Sequence, residues 1–109
     1  MSKKIWLDDC VSPPPGLDWN LVWTVHECIE HIRARHNPDG QIEVISLDYD
    51  LSRSDPGYTG MDVLDYLASE VLNGFTIPYI QIHSSHPTKA YEMRQKADAL
   101  NSMMKRAGR

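Results

Sequence analysis

Cysteines, long apolar runs and blocks of positive charge are all scarce in this chain of 109 residues. Its two cysteines, Cys10 and Cys28, form no Cys-x-x-Cys pair, and no signal peptide is recognisable, so reduced thiols and a cytoplasmic location are expected. No apolar run approaches the roughly 20 residues that a membrane span requires, so no membrane partner is expected. The net charge of −4, without a basic block, argues against duplex DNA as a partner.

Hydrophobic residues make up 41% of the chain, enough for one packed core, so a single domain over residues 1–109 is predicted. Three short apolar runs each end in a polar cluster. These are residues 4–7 before Asp8-Asp9, residues 43–47 before Asp48-Tyr49-Asp50, and residues 80–82 before His83-Ser84-Ser85-His86. In a parallel α/β sheet the carboxyl ends of the strands lie at one edge, so the clusters are predicted to meet in one pocket.

The predicted elements alternate strands with helices, which favours an α/β fold with a parallel sheet. Strands are predicted over residues 4–7, 19–23, 42–47 and 78–82, with the second at a sheet edge. Capping boxes at Thr24 and Glu27 and at Thr59 and Asp62 start two helices, and Pro87 starts the third. Residues 37–40 and Asn73-Gly74 are predicted to end the first two helices. Residues 10–18 contain three prolines and are predicted to form a stiff loop.

Four carboxylates are predicted to share the pocket: Asp8, Asp9, Asp48 and Asp50. Residues i and i+2 of a strand project to the same side, so Asp48 and Asp50 aim at one point. Carboxylates this close repel one another unless a cation is present, and oxygen ligands favour Mg²⁺ or Mn²⁺. A metal site at Asp8, Asp9 and Asp48 is therefore predicted. The alternative is that each acid only terminates its strand.

Two histidines and two serines complete the predicted pocket. His83 and His86 are candidates for a general acid and base near neutral pH, or for ligands of a softer metal such as Mn²⁺ or Zn²⁺. Ser84, Ser85 and the amide groups of the following helix are candidates to bind a phosphate.

Three loop residues have weaker claims to a role in this pocket. Arg53 follows Asp50 closely enough to reach over a phosphate, or else it stays solvated. Cys10 is interpreted as a packed thiol, because no motif surrounds it. Asp55 also lies in the polar loop, and Asp55→Asn is expected to do little.

These motifs resemble the receiver domains of two-component signalling. Asp8-Asp9 resembles their acid pair after the first strand, and Asp48 resembles their phosphoacceptor. Gly60 resembles a downstream glycine, and Ser84 resembles the small hydroxyl residue that closes the fourth strand. The proline loop replaces the helix between the first two strands, and the fifth strand with its lysine is absent.

The chain is more similar to the cyclic-phosphate-processing receiver domains, a receiver-like family of small bacterial and phage proteins. The shared motifs are Ile-Trp-Leu-Asp-Asp, a proline-rich loop with Trp, Ser-Leu-Asp-x-Asp-Leu, Thr-Gly and His-Ser-x-Asn-Pro, although His86 stands where Asn is usual. The resemblance implies a small three-layer, flavodoxin-like fold with strand order 2-1-3-4. It also implies a small phosphorylated ligand, either a cyclic nucleotide or a 2′,3′-cyclic end of RNA.

The residues and the resemblance together predict a metal-dependent phosphoesterase that hydrolyses a cyclic phosphate. Its predicted catalytic residues are His83, His86, Asp48 and Asp50, its phosphate ligands are Ser84, Ser85 and Arg53, and its metal ligands are Asp8, Asp9 and Asp48. Two non-catalytic alternatives stay open: a module that sequesters a cyclic nucleotide, and a receiver-type phosphoacceptor or interaction domain. An uncovered sheet edge near Tyr79 or Trp19 also leaves a homodimer open.

Overall fold

The computed structural model describes residues 3–16, 18–34 and 42–106. These residues form β1 Lys4–Leu7, β2 Asn20–Val22, α1 Val25–Ala34, β3 Val44–Leu47, α2 Gly60–Leu72, β4 Tyr79–Ile82 and α3 Lys89–Arg106. The strands form one parallel sheet in the order β2-β1-β3-β4, so the predicted α/β class, the strand order and the edge position of β2 are confirmed. Within the described ranges, no helix is long and apolar enough to cross a membrane.

Several element boundaries differ from the sequence prediction by one or two residues. The strands β2, β3 and β4 are each shorter than the predicted runs. The third helix begins at Lys89 rather than at Pro87, because Pro87 and Thr88 form a turn ahead of it. The predicted stop of α1 at residues 37–40 lies outside the described residues.

The strands pair in a register that places their carboxyl ends side by side. Leu7 lies opposite both Val22 and Leu47, and Leu47 lies opposite Ile82. The hydrogen-bond ladder continues one residue beyond each strand. Asp8 N donates to Val22 O at 3.2 Å, Asp48 N to Leu7 O at 3.0 Å, and His83 N to Leu47 O at 3.0 Å. The first polar residues after β1, β3 and β4 are therefore neighbours.

The buried apolar residues of all three helices form one cluster with one face of the sheet. Alternating strand positions supply its sheet side: Ile5, Leu7, Val22, Ile45, Leu47 and Ile80. The opposite face carries the buried side chains of Trp6 and Ser46. The half-buried ring of Trp19 meets Trp6 edge-on, with 5.4 Å between ring centroids. All three helices thus form one layer on a single face of the sheet. The segment before β2 covers part of the other face, where the prolines exclude a helix.

Side chains cap the described amino ends of α1 and α2. The predicted capping box of Thr59 and Asp62 is present at α2. At α1, the Thr24 hydroxyl accepts a hydrogen bond from Glu27 N at 3.1 Å. Asp55 Oδ2 also accepts one from Val25 N at 2.8 Å. Asp55 thus anchors the loop after β3 to the first turn of α1, so we now expect Asp55→Asn to affect stability.

The outer edge of β4 is covered by a side chain of α3. Ile80 N donates to Asn101 Oδ1 at 2.9 Å, and Asn101 Nδ2 donates to Ile80 O at 2.9 Å. The flanking amides of Tyr79 and His83 bond towards β3, so the main-chain groups of Ile80 face away from it. One carboxamide thus occupies main-chain groups that would otherwise be open to another strand.

We expect Asn101→Ala to lower the free energy of unfolding by about 1–3 kcal/mol, because both main-chain groups of Ile80 lose their partner. The bare edge should also promote concentration-dependent self-association. Urea unfolding and gel filtration at increasing protein concentration measure the two effects. Ser102→Ala, at the exposed neighbouring position, is the control. If Asn101→Ala matched the parent in both measurements, the Asn101 side chain would not be needed to protect the edge of β4.

Candidate metal and phosphate site

A cleft of about 430 Å³ opens at the carboxyl edge of the sheet. Its lining contains every residue predicted for the site: Asp8, Asp9, Asp48, Asp50, Arg53, His83, Ser84, Ser85 and His86. Cys10, Val11 and Pro87 complete the lining. The three polar clusters therefore meet in one place, while the chemical roles of these residues stay predictions.

Asp8 is a nearly buried carboxylate, with 6% of the residue exposed. Its Oδ1 accepts hydrogen bonds from Cys10 N at 2.8 Å and Val11 N at 3.0 Å. Its Oδ2 lies 3.0 Å from His83 Nε2. The chain turns back over the end of β1 to supply both amides, and these contacts hold the carboxylate in one orientation.

Asp9 joins the end of β1 to the loop that follows β3. Its Oδ2 accepts hydrogen bonds from Arg53 N at 2.8 Å and from Ser54 N at 3.2 Å. The Ser54 hydroxyl donates in turn to the carbonyl of Trp23, just past β2. The loop after β3 is therefore tied across the edge of the sheet.

Asp48 follows β3, and its carboxyl group interacts with both Asp8 and His83. Its Oδ1 accepts a hydrogen bond from Tyr49 N at 2.8 Å, and the Ser84 hydroxyl is a second partner. Burial, and then the negative charge of Asp8, raise the pKa of the Asp48 carboxyl. Oxygen atoms of Asp8, Asp9 and Asp48 lie within 4.8 Å of one another. A divalent cation at this point would relieve their repulsion.

The backbone of Asp48 lies directly against the start of α2. A Cβ atom added at Gly60 would lie 1.9 Å from the carbonyl oxygen of Asp48 and 2.8 Å from Met93 Cε. Gly60 N also donates a hydrogen bond to Tyr49 O at 3.1 Å. The absence of a side chain at Gly60 therefore lets α2 fix the position from which Asp48 projects.

His83 is enclosed by protein on several sides, and 13% of its side chain is exposed. Besides the contact with Asp8, its Nδ1 lies 2.7 Å from Ser46 Oγ. Its ring stacks on Trp6 with 3.8 Å between centroids and 8° between planes. Burial lowers the pKa of His83, although the neighbouring Asp8 acts in the opposite direction.

His86 caps the amino end of α3. Its Nδ1 accepts hydrogen bonds from Lys89 N at 3.1 Å and, more weakly, from Thr88 N at 3.4 Å. The main chain of His86 donates to Ser84 Oγ at 3.2 Å. Two amides that were expected to bind an anion are thus engaged by the protein itself. Asn, which stands at this position in the motif that the sequence resembles, is a preferred N-cap, and here the imidazole nitrogen accepts the hydrogen bonds that an amide oxygen would accept.

We expect His86→Ala to lower the free energy of unfolding by about 1 kcal/mol, as loss of an N-cap typically does. His86→Asn should retain the stability of the parent, because its amide oxygen can accept from the same main-chain donors. Urea unfolding of both variants measures the difference. His26→Ala, where the parent side chain is 85% exposed on α1, should stay within about 0.5 kcal/mol of the parent. Equal losses in His86→Ala and His86→Asn would contradict the capping role.

The remaining site residues lie at the rim of the cleft. Ser52 N donates to Asp50 Oδ1 at 2.9 Å, and this bond, followed by the Ser52 hydroxyl, lowers the pKa of the exposed Asp50 carboxyl. Arg53 Nη1 donates to Cys10 Sγ at 3.3 Å. The interpretation of Cys10 as a packed thiol is wrong, because the thiol is exposed at this rim. Ser85 is likewise exposed.

Sequence reasoning missed three residues that surround His83. Trp6 stacks on the ring and Ser46 Oγ contacts its Nδ1, while Gln81 Nε2 donates to Ser46 Oγ at 3.0 Å. A weak signal was available for two of them. Ser46 and Gln81 are polar residues inside otherwise apolar strands, and Ser46 is buried, where a polar group needs a partner.

A family model described as the cyclic-phosphate processing receiver domain matches residues 3–99 of the chain. The match covers all four strands and every residue that lines the cleft. Neither a curated protein nor a solved structure matches the chain in the corresponding comparisons.

Proposed function

Because this chain belongs to the cyclic-phosphate processing receiver domains, we propose that its cleft hydrolyses a cyclic phosphate with the help of a divalent cation. The observation that carries the proposal is the convergence of three carboxylates within 4.8 Å, in a cleft that also holds hydroxyl and imidazole groups. Carboxylates alone repel a phosphate. A bound cation reverses this local charge and makes the same cleft attractive to it.

The donor set of this cleft suits Mg²⁺ or Mn²⁺. Asp8, Asp9 and Asp48 supply only oxygen atoms, which are the ligands that these ions prefer. Burial and, after it, the negative charge of Asp8 raise the pKa of Asp48, and a bound cation would favour the ionised carboxylate against both. When bound, the cation would supply Lewis-acid stabilisation of the phosphoryl oxygens and of the attacking water.

Hydrolysis adds one water molecule to phosphorus and breaks one ring P–O bond, which leaves a phosphomonoester and a free hydroxyl. We assign acceptance of a water proton to Asp50, the carboxylate of the cleft that lies outside the three predicted metal ligands. The leaving ring oxygen gains a proton in return, so no further reactant is consumed. We assign stabilisation of the phosphoryl oxygens to Ser84, Ser85 and Arg53, and to His86 through Nε2, the ring nitrogen not used for capping.

Product analysis tests this proposal on 2′,3′-cyclic nucleotides, 3′,5′-cyclic nucleotides and RNA with a 2′,3′-cyclic end. We expect a linear phosphomonoester from at least one of these substrates with Mg²⁺ or Mn²⁺, and none when EDTA is added. Folded protein that turns over no substrate in the panel would refute hydrolysis.

A module that binds a cyclic phosphate without cutting it is the second candidate, and one observation favours it. Both ring nitrogens of His83, and Nδ1 of His86, are already engaged within the protein. Histidines whose ring nitrogens are already hydrogen-bonded to the protein are poorly placed to transfer protons. Such a cleft is better suited to binding a phosphate than to hydrolysing it. Equilibrium dialysis that recovers the ligand unchanged, with no phosphomonoester formed, would favour this candidate.

A receiver-type phosphoacceptor at Asp48 is weaker, because the described lining of the cleft contains no lysine to sense an acyl phosphate. Labelling by acetyl phosphate that disappears in Asp48→Ala would revive it.

A further inference from the structure

A directed chain of hydrogen bonds runs from Gln81 to Asp8 beneath the cleft. At one end, the amide nitrogen of Gln81 can only donate, and it lies 3.0 Å from Ser46 Oγ. Ser46 can then use its single hydrogen towards His83 Nδ1, which is 2.7 Å away. At the other end, an ionised Asp8 can only accept, and its Oδ2 lies 3.0 Å from His83 Nε2. The carboxylate end therefore imposes the direction, with the ring proton on Nε2, and the amide of Gln81 is oriented in agreement with it.

The opposite direction would place two acceptors against each other. If Gln81 presented its oxygen to Ser46, the Ser46 hydrogen would be used there, and His83 would have to carry its proton on Nδ1. A neutral ring in that form would turn a bare Nε2 lone pair towards the Asp8 carboxylate. The 3.0 Å separation of those two atoms is a hydrogen-bond distance, which matches only a protonated Nε2.

Packing fixes the same ring in its plane. Trp6 has 6% of its surface exposed and stacks on His83 with ring planes 8° apart. Trp6 Nε1 donates to Val11 O at 2.8 Å, and Val11 N donates to Asp8 Oδ1 at 3.0 Å. The residues that hold the imidazole are thus bonded to the segment that holds the other oxygen of Asp8.

We propose that His83 is a positioning residue, held as the Nε2–H tautomer by Ser46 and Gln81 and in its plane by Trp6, so that it orients Asp8 for the cation. This assignment replaces the proton-transfer role predicted from the sequence. It rests on the proposed function only in that Asp8 binds a cation. A residue that hydrogen-bonds to a ligand carboxylate in this way sets the direction of the carboxylate without contacting the substrate.

The tautomer is tested on the parent protein without any metal. A long-range ¹H–¹⁵N correlation spectrum, recorded in EDTA, should show His83 protonated at Nε2 and unprotonated at Nδ1. Ser46→Ala should increase the population of the other tautomer, because Nδ1 loses its donor. An Nδ1–H tautomer in the parent would overturn the proposal.

Metal affinity separates positioning from proton transfer, and Mn²⁺ alone is the probe. His83→Leu should weaken Mn²⁺ binding by about 10–100-fold, as loss of an outer-shell partner typically does. His83→Gln offers an amide N–H near the place of Nε2–H and should recover most of that loss. A proton-transfer residue would give the opposite pattern, with Mn²⁺ affinity unchanged in both variants and turnover lost in both. That pattern would overturn the proposal.

The two hypotheses fail in different ways. If the parent binds no Mn²⁺, metal-dependent hydrolysis is refuted, and so is the proposal that His83 orients Asp8 for a cation. The tautomer spectrum then still decides whether the hydrogen-bond chain runs in the assigned direction. If Mn²⁺ binds and His83→Gln is as weak as His83→Leu, positioning is refuted and the proposed function stands.

Discussion

Gly60→Ala should destabilise this protein more through steric overlap than alanine at any other described glycine, because the other three have open space around an added Cβ. The added Cβ would lie 1.9 Å from the backbone oxygen of Asp48, far inside contact distance. Backbone cannot rotate away as a flexible side chain can, so α2 or the end of β3 must move. Overpacking of this kind costs about 3 kcal/mol or more when no rotamer relieves it. Thermal and urea unfolding measure the loss.

The same substitution should weaken the metal site in whatever fraction folds, because Asp48 projects from the displaced backbone. Calorimetric titration with Mn²⁺ near 10 °C, where more of the variant is folded, measures this second effect. Ser69→Ala, at an exposed position of α2, is the matched control and should stay within about 0.5 kcal/mol of the parent. A melting temperature of Gly60→Ala equal to that of the parent would show that the close approach is dispensable.

Asp48→Asn should weaken Mn²⁺ binding by at least about tenfold, since it removes one of three charged ligands at constant shape. At a Mn²⁺ concentration of about 100 times its dissociation constant, the parent should gain roughly 2.7 kcal/mol of stability, and the variant much less. Calorimetry and metal-dependent melting curves provide both measurements. Any hydrolytic activity should fall with the affinity. Undiminished Mn²⁺ binding would mean that the three carboxylates do not form one site.

The control for Asp48 has to be chosen with the structure in view. Asp55 is unsuitable, because its carboxylate accepts from Val25 N and caps α1. Asp98 is the better choice, since it lies on α3 in a separate groove beside Tyr79 and Lys105. Asp98→Asn should leave Mn²⁺ affinity unchanged.

Without metal, the sign of the Asp48→Asn effect on stability should reverse. The folded-state pKa of Asp48 is raised, so its ionisation opposes folding. The parent therefore keeps its full stability below the ordinary carboxyl pKa and loses some as the pH rises through the higher folded-state value. In EDTA, the variant should gain on the parent over that interval and hold the advantage at neutral pH. Urea unfolding at several pH values tests the sign, and a variant less stable than the parent at pH 7 would contradict it.

The sequence predicted the location of the candidate site better than the hydrogen bonds of its individual side chains. Apolar runs that stop at Asp8, Asp48 and His83 were sufficient, because in-register parallel strands bring their ends together whatever the loops do. The partners of these groups depend on loop paths and rotamers, which periodicity does not encode. The capping bond of His86 and the exposure of Cys10 are two such details.

The hydrogen bonds that link Gln81 and Ser46 to His83 were also not predictable from the sequence, because they depend on how two strands pair. Alternation assigns them to one face of the sheet, but only the register of β3 against β4 places Ser46 opposite Gln81. The sequence contains both residues and gives no direct indication of that pairing. The carboxamide of Asn101 on Ile80 likewise depends on where α3 lies along β4.

The hydrogen bond between Asp8 and His83 joins residues 75 positions apart in the chain. Contacts of such long range require a long loop to close, which slows the folding of parallel sheets. During synthesis, the cleft cannot be completed until β4 has left the ribosome, however early β1 and β3 pair. The three carboxylates lie at the ends of β1 and β3, whereas His83 lies at the end of β4. Full affinity for a cation would therefore be reached only when the last strand docks. Bound Mn²⁺ would then slow unfolding more than it speeds folding.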